Sequence, residues 1–323
     1  HVLLVDGFNT FIRSFSVNPS LNEDGAHVGG LVGFLKSIRY TINKFKPTRC
    51  IIVFDGKNSS KPRQKIYPQY KAGRKVRSRL NRLVDWGGGP HNERESMGMQ
   101  LKRLVEYLEC LPLTLVSIDN LEADDIMAYI AKQSSNSKVK KCTIISSDKD
   151  FLQLVDDTIE VYAPVKKKTF TKDNIFEELK VLPENYNIVK ALVGDNSDNL
   201  QGVKGLGIKT IVSEFPKLLS EVTDLDYVYG ICEAKLDEKK SKKIFPKIIT
   251  EWDRVETNYK LMDLNVSDLD EKEKSFVVDT IKSPVPDLQT GAFLRLLEKD
   301  KIEGITKNTE GWLENFRGLT VRS

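Results

Sequence analysis

Four short apolar runs divide the first 150 residues, and helical patterns separate them. The runs are rich in β-branched residues, as buried strands are, and they cover Val2 to Val5, Arg49 to Phe54, Leu113 to Ile118 and Cys142 to Ser146. Between them, apolar residues recur at helical spacing over Gly30 to Phe45, Glu93 to Cys110 and Leu121 to Gln133. This alternation predicts an α/β fold with a mainly parallel central sheet flanked by helices.

The strand patterns fade beyond about Pro183, where helical segments with charged faces dominate. The chain has 323 residues, the length of one large domain or of two ordinary ones. We therefore expect an α/β domain over residues 1–182 and a mainly helical domain over residues 183–323.

Acidic residues follow each predicted strand. Asp6 follows the first, Asp55 the second, Asp148 and Asp150 the fourth, and Glu122, Asp124 and Asp125 open the helix after the third. The carboxyl ends of parallel strands share one edge of the sheet, so these side chains should converge. Two carboxylates about 4 Å apart repel by about 4 kcal/mol at an effective dielectric constant of 20, so such a group takes up protons or binds cations. Oxygen ligands without His or Cys favour Mg²⁺ or Mn²⁺.

Each of these acidic residues has a plainer alternative role. A single Asp after a strand is more often a turn or helix N-cap residue than a metal ligand, and Asp119 and Asn120 fit that role. Glu122 and Asp125 share a helix face, whereas Asp124 points partly away, so spacing alone favours Asp124 least as a ligand. The recurrence of acidic residues at successive strand ends is what favours a metal site.

Basic residues are concentrated in one segment. Between Gly56 and Asp85 there are ten Lys or Arg residues and no acidic residue, and removing these ten charges from the net charge of +4 leaves −6 on the remainder. A basic stretch on an acidic body is typical of a polyanion-binding element. A solvated basic face is the alternative.

A glycine-rich run follows an acidic element at Gly194 to Asn199. Gly202, Gly205 and Gly207 allow a tight turn between two helices, where backbone N–H groups can bind a phosphate oxygen and Lys204 and Lys209 add charge. Such turns are also often simple helix caps. Beside an acidic cluster and a basic segment, the run predicts a clamp on a nucleic-acid backbone.

Composition argues against several other chemistries. With 3 His and 4 scattered Cys, a zinc cluster or a His-based nucleophilic triad has too few residues. No apolar run approaches the ~20 residues of a membrane helix. We expect a soluble cytoplasmic protein that makes no membrane contact, and a host-cytoplasmic one if it is phage-encoded.

Seven pieces of the chain occur in the order and spacing of one known family. They are Val5-Asp6-Gly7, Phe54-Asp55-Gly56, Tyr70 to Arg74, Glu122 to Asp125, Ser147 to Phe151, Gly194 to Asn199 and Gly202 to Thr210. On these pieces the chain resembles the structure-specific 5′ nucleases, which include flap endonucleases and the 5′-to-3′ exonuclease domains of bacterial DNA polymerases. Within that family the resemblance is nearest to the ribonuclease H of T-even bacteriophages, through the segments around Trp86, Ala163 to Lys167 and Asn258 to Asp263.

The resemblance implies a fold and a metal centre. The fold is a PIN/5′ nuclease-like sheet with a helical arch at about residues 57–92 and a helix-hairpin-helix-type motif at 199–216. Two Mg²⁺ or Mn²⁺ ions are implied at the acidic cluster, and a monovalent cation at the hairpin motif. The implied inner ligands are Asp6, Asp55, Asp124, Asp125, Asp148 and Asp150, while Glu122, Asp195 and Asp198 would serve the second ion or act through water.

For the basic segment, the resemblance implies an arch around a single-stranded 5′ end. Lys71 and Arg74 would be catalytic residues at the scissile phosphate, on one face of a helix that starts at Pro68. Tyr67, Tyr70 and Trp86 could stack on bases or pack on the body. The remaining implied nucleic-acid contacts are Arg63, Lys65, Tyr70, Lys75, Arg77, Arg79 and Arg82 in the arch and Gly202, Lys204, Gly205, Gly207 and Lys209 in the hairpin.

The implied function is that of a metal-dependent 5′-to-3′ exonuclease and flap endonuclease acting as a monomer. Its substrates would be DNA and RNA–DNA hybrids, and its role the removal of RNA primers and flaps in phage DNA replication. Single-strand-binding protein and a sliding clamp are implied partners. The alternative is a catalytically weak or inactive nucleic-acid-binding protein of the same fold. An aspartate-nucleophile phosphatase would want a second acidic residue where Phe8 stands.

Overall fold

The structure is a computed structural model that describes residues 1–72, 79–87, 90–135, 139–236, 241–265, 268–303, 305 and 308–319. A six-stranded sheet in the order β3-β2-β1-β4-β5-β6 forms the centre of this described part. The strands are β1 (Val2–Asp6), β2 (Arg49–Val53), β3 (Thr114–Val116), β4 (Cys142–Ile145), β5 (Ile159–Ala163) and β6 (Lys168–Phe170). The first five are parallel and β6 is antiparallel to β5. The predicted α/β class and its four strands are confirmed, whereas β5 and β6 were not predicted.

Strand β1 lies at the point where the chain changes its direction of travel across the sheet. It pairs with β2 on one side and with β4 on the other, so successive crossovers leave it in opposite directions. In open parallel sheets the crevice at such a point, outside the carboxyl ends of the strands, is where ligands bind. Asp6 ends β1 and Asp148 follows β4, so both belong to this crevice.

Helices cover both faces of the sheet. Alternate strand residues sort to the two faces: Leu3 and Val5 pack with one apolar core, and Leu4 packs with the other. The helices of the first half are α1 (Gly7–Val17), α2 (Gly29–Phe45), α3 (Lys61–Ile66), α4 (Pro90–Glu109) and α5 (Ala123–Ser135). Residues of α1, α2 and α4 join the core of Leu3, while those of α5 join the core of Leu4.

The second half of the chain is helical, as predicted. Two short strands, β7 (Gly194–Asp195) and β8 (Leu200–Gln201), form a small hairpin within it. The helices are α6 (Lys172–Leu179), α7 (Tyr186–Val193), α8 (Ile208–Glu214), α9 (Leu225–Leu236), α10 (Ile244–Thr250), α11 (Trp252–Met262), α12 (Glu271–Lys282), α13 (Thr290–Lys299) and α14 (Thr309–Arg317). The core of Leu4 continues into these helices through residues such as Val189, Ile211 and Phe245, which ties them to the sheet.

The two last helices return to the α/β layer. Phe293 of α13 packs edge-on against Tyr107 of α4 at 5.2 Å, and Trp312 of α14 stacks on Phe293 at 5.5 Å between ring centroids. Both residues belong to the same core as Leu35 of α2. The chain after residue 183 is therefore not confined to one region of the molecule, and the predicted boundary at residue 182 stays a prediction.

Replacing Trp312 with Ala should destabilise the protein. The side chain is 1% exposed, and truncating a buried large aromatic residue typically costs about 3–5 kcal/mol through lost burial and the cavity left behind. The free energy of unfolding from urea titration measures the effect. Phe276→Ala is the control, because Phe276 is 52% exposed and its loss should change stability by less than about 0.5 kcal/mol. Equal losses in the two variants would contradict the packing described for α14.

The four cysteines are free thiols and all are buried. Burial raises the pKa of Cys50, Cys142 and Cys232 to about 12, and it also raises the pKa of Cys110. These thiols therefore stay protonated and unreactive at neutral pH. Among the described helices, none combines the length and the apolar character needed to cross a bilayer.

Candidate active site

Acidic side chains meet in one cavity at the carboxyl edge of the sheet. The cavity has a volume of about 410 Å³. Its lining includes Asp6, Asp55, Glu122, Asp124, Asp148, Asp150 and Asp198. Residues from five distant parts of the chain thus converge: four of these parts follow predicted strands, and Asp198 is the fifth.

Hydrogen bonds hold three of these carboxylates in place. Asp6 is the N-cap of α1, where Oδ1 accepts the N–H of Asn9 at 2.9 Å, and its Oδ2 accepts the hydroxyl of Ser146 at 3.1 Å. Asp55 Oδ1 accepts the N–H of Ala123 at 2.9 Å, at the start of α5. Asp148 Oδ1 accepts the N–H of Asp150 at 2.9 Å. In Asp6, the N-cap role and a position in the cavity therefore coexist.

The cavity strongly disfavours the charged form of several of its carboxylates. Burial, with smaller contributions from Asp55 and Asp148, raises the pKa of Asp6 to about 7, even though hydrogen bonds from Asn9 and Ser146 oppose the shift. Burial and the charges of Asp148 and Asp6 raise the pKa of Asp124 well above its ordinary value. Such a set of oxygen donors suits a hard divalent cation, since bound positive charge would relieve the repulsion.

Cations supplied by the protein already lie among the carboxylates. Lys190 of α7, a residue that the sequence did not single out, contacts Asp150 and donates to Asp195 Oδ2 at 2.8 Å. The pKa of Asp150 is raised to about 6 by burial against the opposing charge of Lys190, and Lys190 lowers the pKa of Asp195 to about 2 although burial opposes it. As the side chains are placed, no three His, Cys, Asp or Glu of the described residues are grouped so as to hold one ion.

The positions of Asp124 and Asp125 are the reverse of those expected from helix spacing, which favoured Asp125 over Asp124 as a ligand. Asp124 lines the cavity. Asp125 instead forms a two-pronged ion pair with Arg63, at 2.6 and 2.7 Å, and is 3% exposed. The expectation that Asp125 is an inner ligand is therefore corrected: its two oxygens are committed to a guanidinium. Helix phase alone could not reveal this, because the partner is 62 residues away in the chain.

Two residues expected to contact nucleic acid are buried. Arg63 is 6% exposed and pairs with Asp125 and Glu122. Although burial opposes its charge, Asp125 raises the pKa of Arg63 above its ordinary value. Tyr70 is 2% exposed, and its hydroxyl donates to Glu122 Oε2 at 3.1 Å. These two side chains hold the start of the basic segment on α5, and both line the acidic cavity.

Lys71 lies at the rim of the cavity. Its Nζ donates to Glu122 Oε1 at 2.8 Å, and its backbone N–H donates to the carbonyl of Asp198 at 2.9 Å. Its φ of 57° is left-handed, and residues 68–72 form turns, so the helix predicted to start at Pro68 is wrong. The contact with Asp198, distant in sequence, overrides the helical pattern.

The other basic residues of the segment fall into two groups. Lys65, Arg79 and Arg82 are exposed. The positions of Arg74, Lys75 and Arg77 lie outside the described residues. Trp86 is buried and stacks on Phe15 at 5.7 Å, with its Nε1–H donating to the carbonyl of Asn81 at 3.0 Å. Of the two alternatives for Trp86, packing on the body is therefore the one observed.

The glycine-rich run forms the turn between β8 and α8. A Cβ on Gly202 would lie 2.0 Å from the carbonyl oxygen of Val193, and Gly205 has a φ of +91°, so both positions require glycine. Gly207 is the N-cap of α8. Lys204 and Lys209 are exposed, where a nucleic-acid backbone could reach them. Asp195, in β7, is not among the residues that line the acidic cavity.

Comparison with known proteins gives a consistent result along the chain. Residues 1–180 match the family described as "5′-3′ exonuclease, N-terminal resolvase-like domain", and residues 181–282 match "5′-3′ exonuclease, C-terminal SAM fold". A 5′-3′ exonuclease of Aquifex aeolicus is 29% identical over 304 residues, covering 92% of this chain and 94% of that protein. A thermostable DNA polymerase I of Thermus thermophilus is 32% identical over 248 residues, 76% of this chain but 26% of the polymerase.

A solved structure supports the same fold. The flap endonuclease of bacteriophage T5, determined as a pseudo-enzyme-product complex with DNA and metal ions, superposes with a TM-score of 0.64 at 19% identity. The match covers 93% of this chain and 99% of that one. At this level of identity the likeness establishes the architecture of the chain.

Proposed function

The chain belongs to the 5′-3′ exonuclease family, and from that premise we propose that it is a divalent-metal-dependent 5′-to-3′ exonuclease and flap endonuclease. The proposed substrates are DNA and RNA–DNA hybrids with a 5′ end or flap, and the proposed role is removal of RNA primers and flaps in phage DNA replication. The observation that carries the proposal is the convergence of seven acidic side chains on one cavity beside Lys71.

Two divalent ions are proposed for the acidic cavity. The proposed inner ligands are Asp6, Asp55, Asp124, Asp148 and Asp150. Glu122, Asp195 and Asp198 are proposed to serve the second ion or to act through water. Bound there, the ions would lower the pKa of a water molecule and stabilise charge developing on the phosphate. Lys190 keeps Asp150 and Asp195 oriented, and the Lys71 ammonium contacts the phosphate and offsets repulsion from the carboxylates.

The substrate would approach over two basic surfaces. Arg79 and Arg82, exposed in the basic segment, attract the backbone of the single-stranded 5′ end, as Arg74, Lys75 and Arg77 would on the basis of sequence. Lys204 and Lys209 at the glycine-rich turn contact the duplex. A monovalent cation at that turn, the monomeric state, single-strand-binding protein and a sliding clamp stay predictions from the family resemblance.

Cleavage of a 5′-labelled flap and of a 5′-labelled RNA–DNA hybrid tests this function. We expect short labelled products in Mg²⁺ or Mn²⁺ and none in chelator, because the carboxylates lack a cation with which to activate water. Cleavage in chelator would contradict the metal assignment. Tight binding without any cleavage in Mg²⁺ or Mn²⁺ would favour the inactive nucleic-acid-binding protein instead.

Arg79→Ala should weaken binding and leave turnover nearly unchanged. Arg79 is exposed and lies outside the lining of the cavity, so its role is electrostatic attraction. Losing one phosphate contact should reduce the slope of log affinity against log salt by about 0.7–0.9. Fluorescence anisotropy of a labelled flap in chelator measures the slope. Arg317→Ala is the matched control, since Arg317 pairs with Glu314 in α14, and it should leave the slope unchanged. An unchanged slope in Arg79→Ala would remove Arg79 from the binding surface.

A further inference from the structure

One buried arginine links the basic segment to two other helices. The guanidinium of Arg63, in α3, donates from Nη1 to Asp125 Oδ2 at 2.6 Å and from Nη2 to Asp125 Oδ1 at 2.7 Å. Its Nε donates to the carbonyl of Leu261 in α11 at 3.0 Å. Arg63 therefore joins α3, α5 and α11 through three hydrogen bonds, all of them buried.

The same guanidinium also reaches Glu122, which is the hub of the network. Glu122 Oε2 accepts from Arg63 Nη1 at 3.3 Å and from the Tyr70 hydroxyl at 3.1 Å. Glu122 Oε1 accepts from Lys71 Nζ at 2.8 Å. Both carboxylate oxygens are thus in use, and the position of Glu122 depends on donors that come from the base of the basic segment.

Lys71 needs such support. Its left-handed φ of 57° is uncommon for a residue with a side chain, and such conformations persist where the surroundings hold them. Two contacts do so here: the bond from its N–H to the Asp198 carbonyl and the bond from its Nζ to Glu122. If Glu122 moved, the ammonium would lose the partner that keeps it at the rim of the cavity.

We infer that Arg63 is a positioning residue: paired with Asp125, it fixes Glu122, and Glu122 holds the Lys71 ammonium at the rim of the acidic cavity. The inference rests on the proposed function for what Lys71 then does to a phosphate. It assigns Asp125 and Glu122 to this network.

The chemistry of the residue supports a role beyond stability. A buried ion pair is an inefficient stabiliser, because the cost of removing two charges from water can exceed their attraction, and apolar residues of similar volume often serve as well. The planar fork of Arg, with five donors, can serve both oxygens of Asp125, Glu122 and the Leu261 carbonyl together, whereas Lys cannot. What this position requires is therefore the arrangement of hydrogen-bond donors that an arginine side chain provides.

The first experiment replaces the pair with apolar residues in the double variant R63M/D125L. We expect it to melt within a few degrees of the wild type, to keep KM within about twofold, and to lower kcat on the labelled flap by about 10²- to 10³-fold, the loss expected of Lys71→Ala alone. Adding Lys71→Ala should then lower kcat by less than twofold further, because the ammonium is already misplaced. An unchanged kcat in R63M/D125L, or a full additional loss from Lys71→Ala, would overturn the inference.

A second readout needs no activity. Cleavage by trypsin after Lys71 requires both its backbone and its side chain to leave the contacts with Asp198 and Glu122. In R63M/D125L this cleavage, located by mass spectrometry, should be at least about tenfold faster than in the wild type. Should the double variant fail to fold, Arg63→Lys serves in its place, with faster cleavage after Lys71 again expected. An unchanged rate of this cleavage would overturn the inference.

Arg49→Met is the matched control. Like the Arg63 guanidinium, the Arg49 guanidinium donates to a side chain and to the backbone. Its acceptors are the hydroxyl of Thr114 and the carbonyls of Thr280 and Ser283, and Arg49 lies at the amino end of β2. It should lower the melting temperature without changing cleavage after Lys71 or kcat. Equal acceleration of cleavage in Arg49→Met would show a general loss of stability and overturn the inference. If the wild-type protein cleaves no nucleic acid at all, the proposed function fails, whereas the trypsin comparison still decides whether Arg63 positions Lys71.

Discussion

Asp6→Asn should abolish nuclease activity, with kcat falling by at least about 10³-fold, equivalent to about 4 kcal/mol of transition-state stabilisation. Asp6 caps α1 through the N–H of Asn9 and also accepts the hydroxyl of Ser146 inside the acidic cavity. Asn is as good an N-cap as Asp, so the substitution keeps the fold. It removes the negative charge that a divalent cation needs.

Three measurements separate these effects. Turnover of a labelled flap at saturating Mg²⁺ gives kcat, calorimetric titration with Mn²⁺ gives the affinity for the ion, and anisotropy in chelator gives the affinity for nucleic acid. We expect Mn²⁺ affinity to fall at least about tenfold while nucleic-acid affinity stays within about threefold, since removing a negative charge does not weaken attraction to phosphate.

Asp119→Asn is the control for Asp6→Asn. Asp119 follows β3 but lies outside the lining of the cavity, where its Oδ1 accepts the N–H of Lys57 at 3.1 Å. It should leave both kcat and Mn²⁺ affinity unchanged. If Asp6→Asn kept more than about a tenth of wild-type turnover, the cavity would not be the metal centre.

Lys71→Ala should lower kcat by about 10²- to 10³-fold and change the affinity for the flap by less than threefold. Preorganised positive charge aimed at a reacting phosphate is worth about 3–4 kcal/mol in the transition state. The rest of the network stays in place, because Glu122 keeps its bonds to Tyr70 and Arg63. Single-turnover kinetics with excess enzyme measure the chemical step apart from binding.

Comparison with Arg79→Ala distinguishes an effect of Lys71 on the chemical step from an effect on binding. Arg79 should affect affinity and its salt dependence, whereas Lys71 should affect the chemical step. Loss of affinity alone in both variants would place Lys71 among the binding residues and remove it from the catalytic ones.

The sequence alone could predict the position of the acidic cavity, because that prediction depends on short local patterns of apolar and acidic residues. A buried parallel strand is recognisable from its own residues, and the polar residues that directly follow it lie at the carboxyl edge, which placed Asp6, Asp55 and Asp148 in one crevice. The short strands β5 and β6 escaped detection. The Ile159–Ala163 run is interrupted by Glu160, which pairs with Lys141 and accepts from Thr143.

What sequence could not supply was the choice between adjacent residues and the partners from distant parts of the chain. Asp124 and Asp125 both open α5, and only the burial of Arg63 against α5 decides which of them turns away from the cavity. In the sequence, nothing distinguished Lys190 from an ordinary lysine on an amphipathic helix. Its role follows from the packing of α7 beside Asp150, a contact between residues 40 positions apart.

The inert thiols of the core make this protein convenient for spectroscopy. Because Cys50, Cys142 and Cys232 are buried with their pKa raised to about 12, maleimide dyes should not react with them under conditions that modify an exposed cysteine. New cysteines at the exposed positions Leu83, in the basic segment, and Ser213, in α8 after the glycine-rich turn, could therefore carry a donor and an acceptor fluorophore without prior removal of native thiols. Energy transfer between them would report, in single molecules, whether the distance between the basic segment and the glycine-rich turn changes when a flap binds.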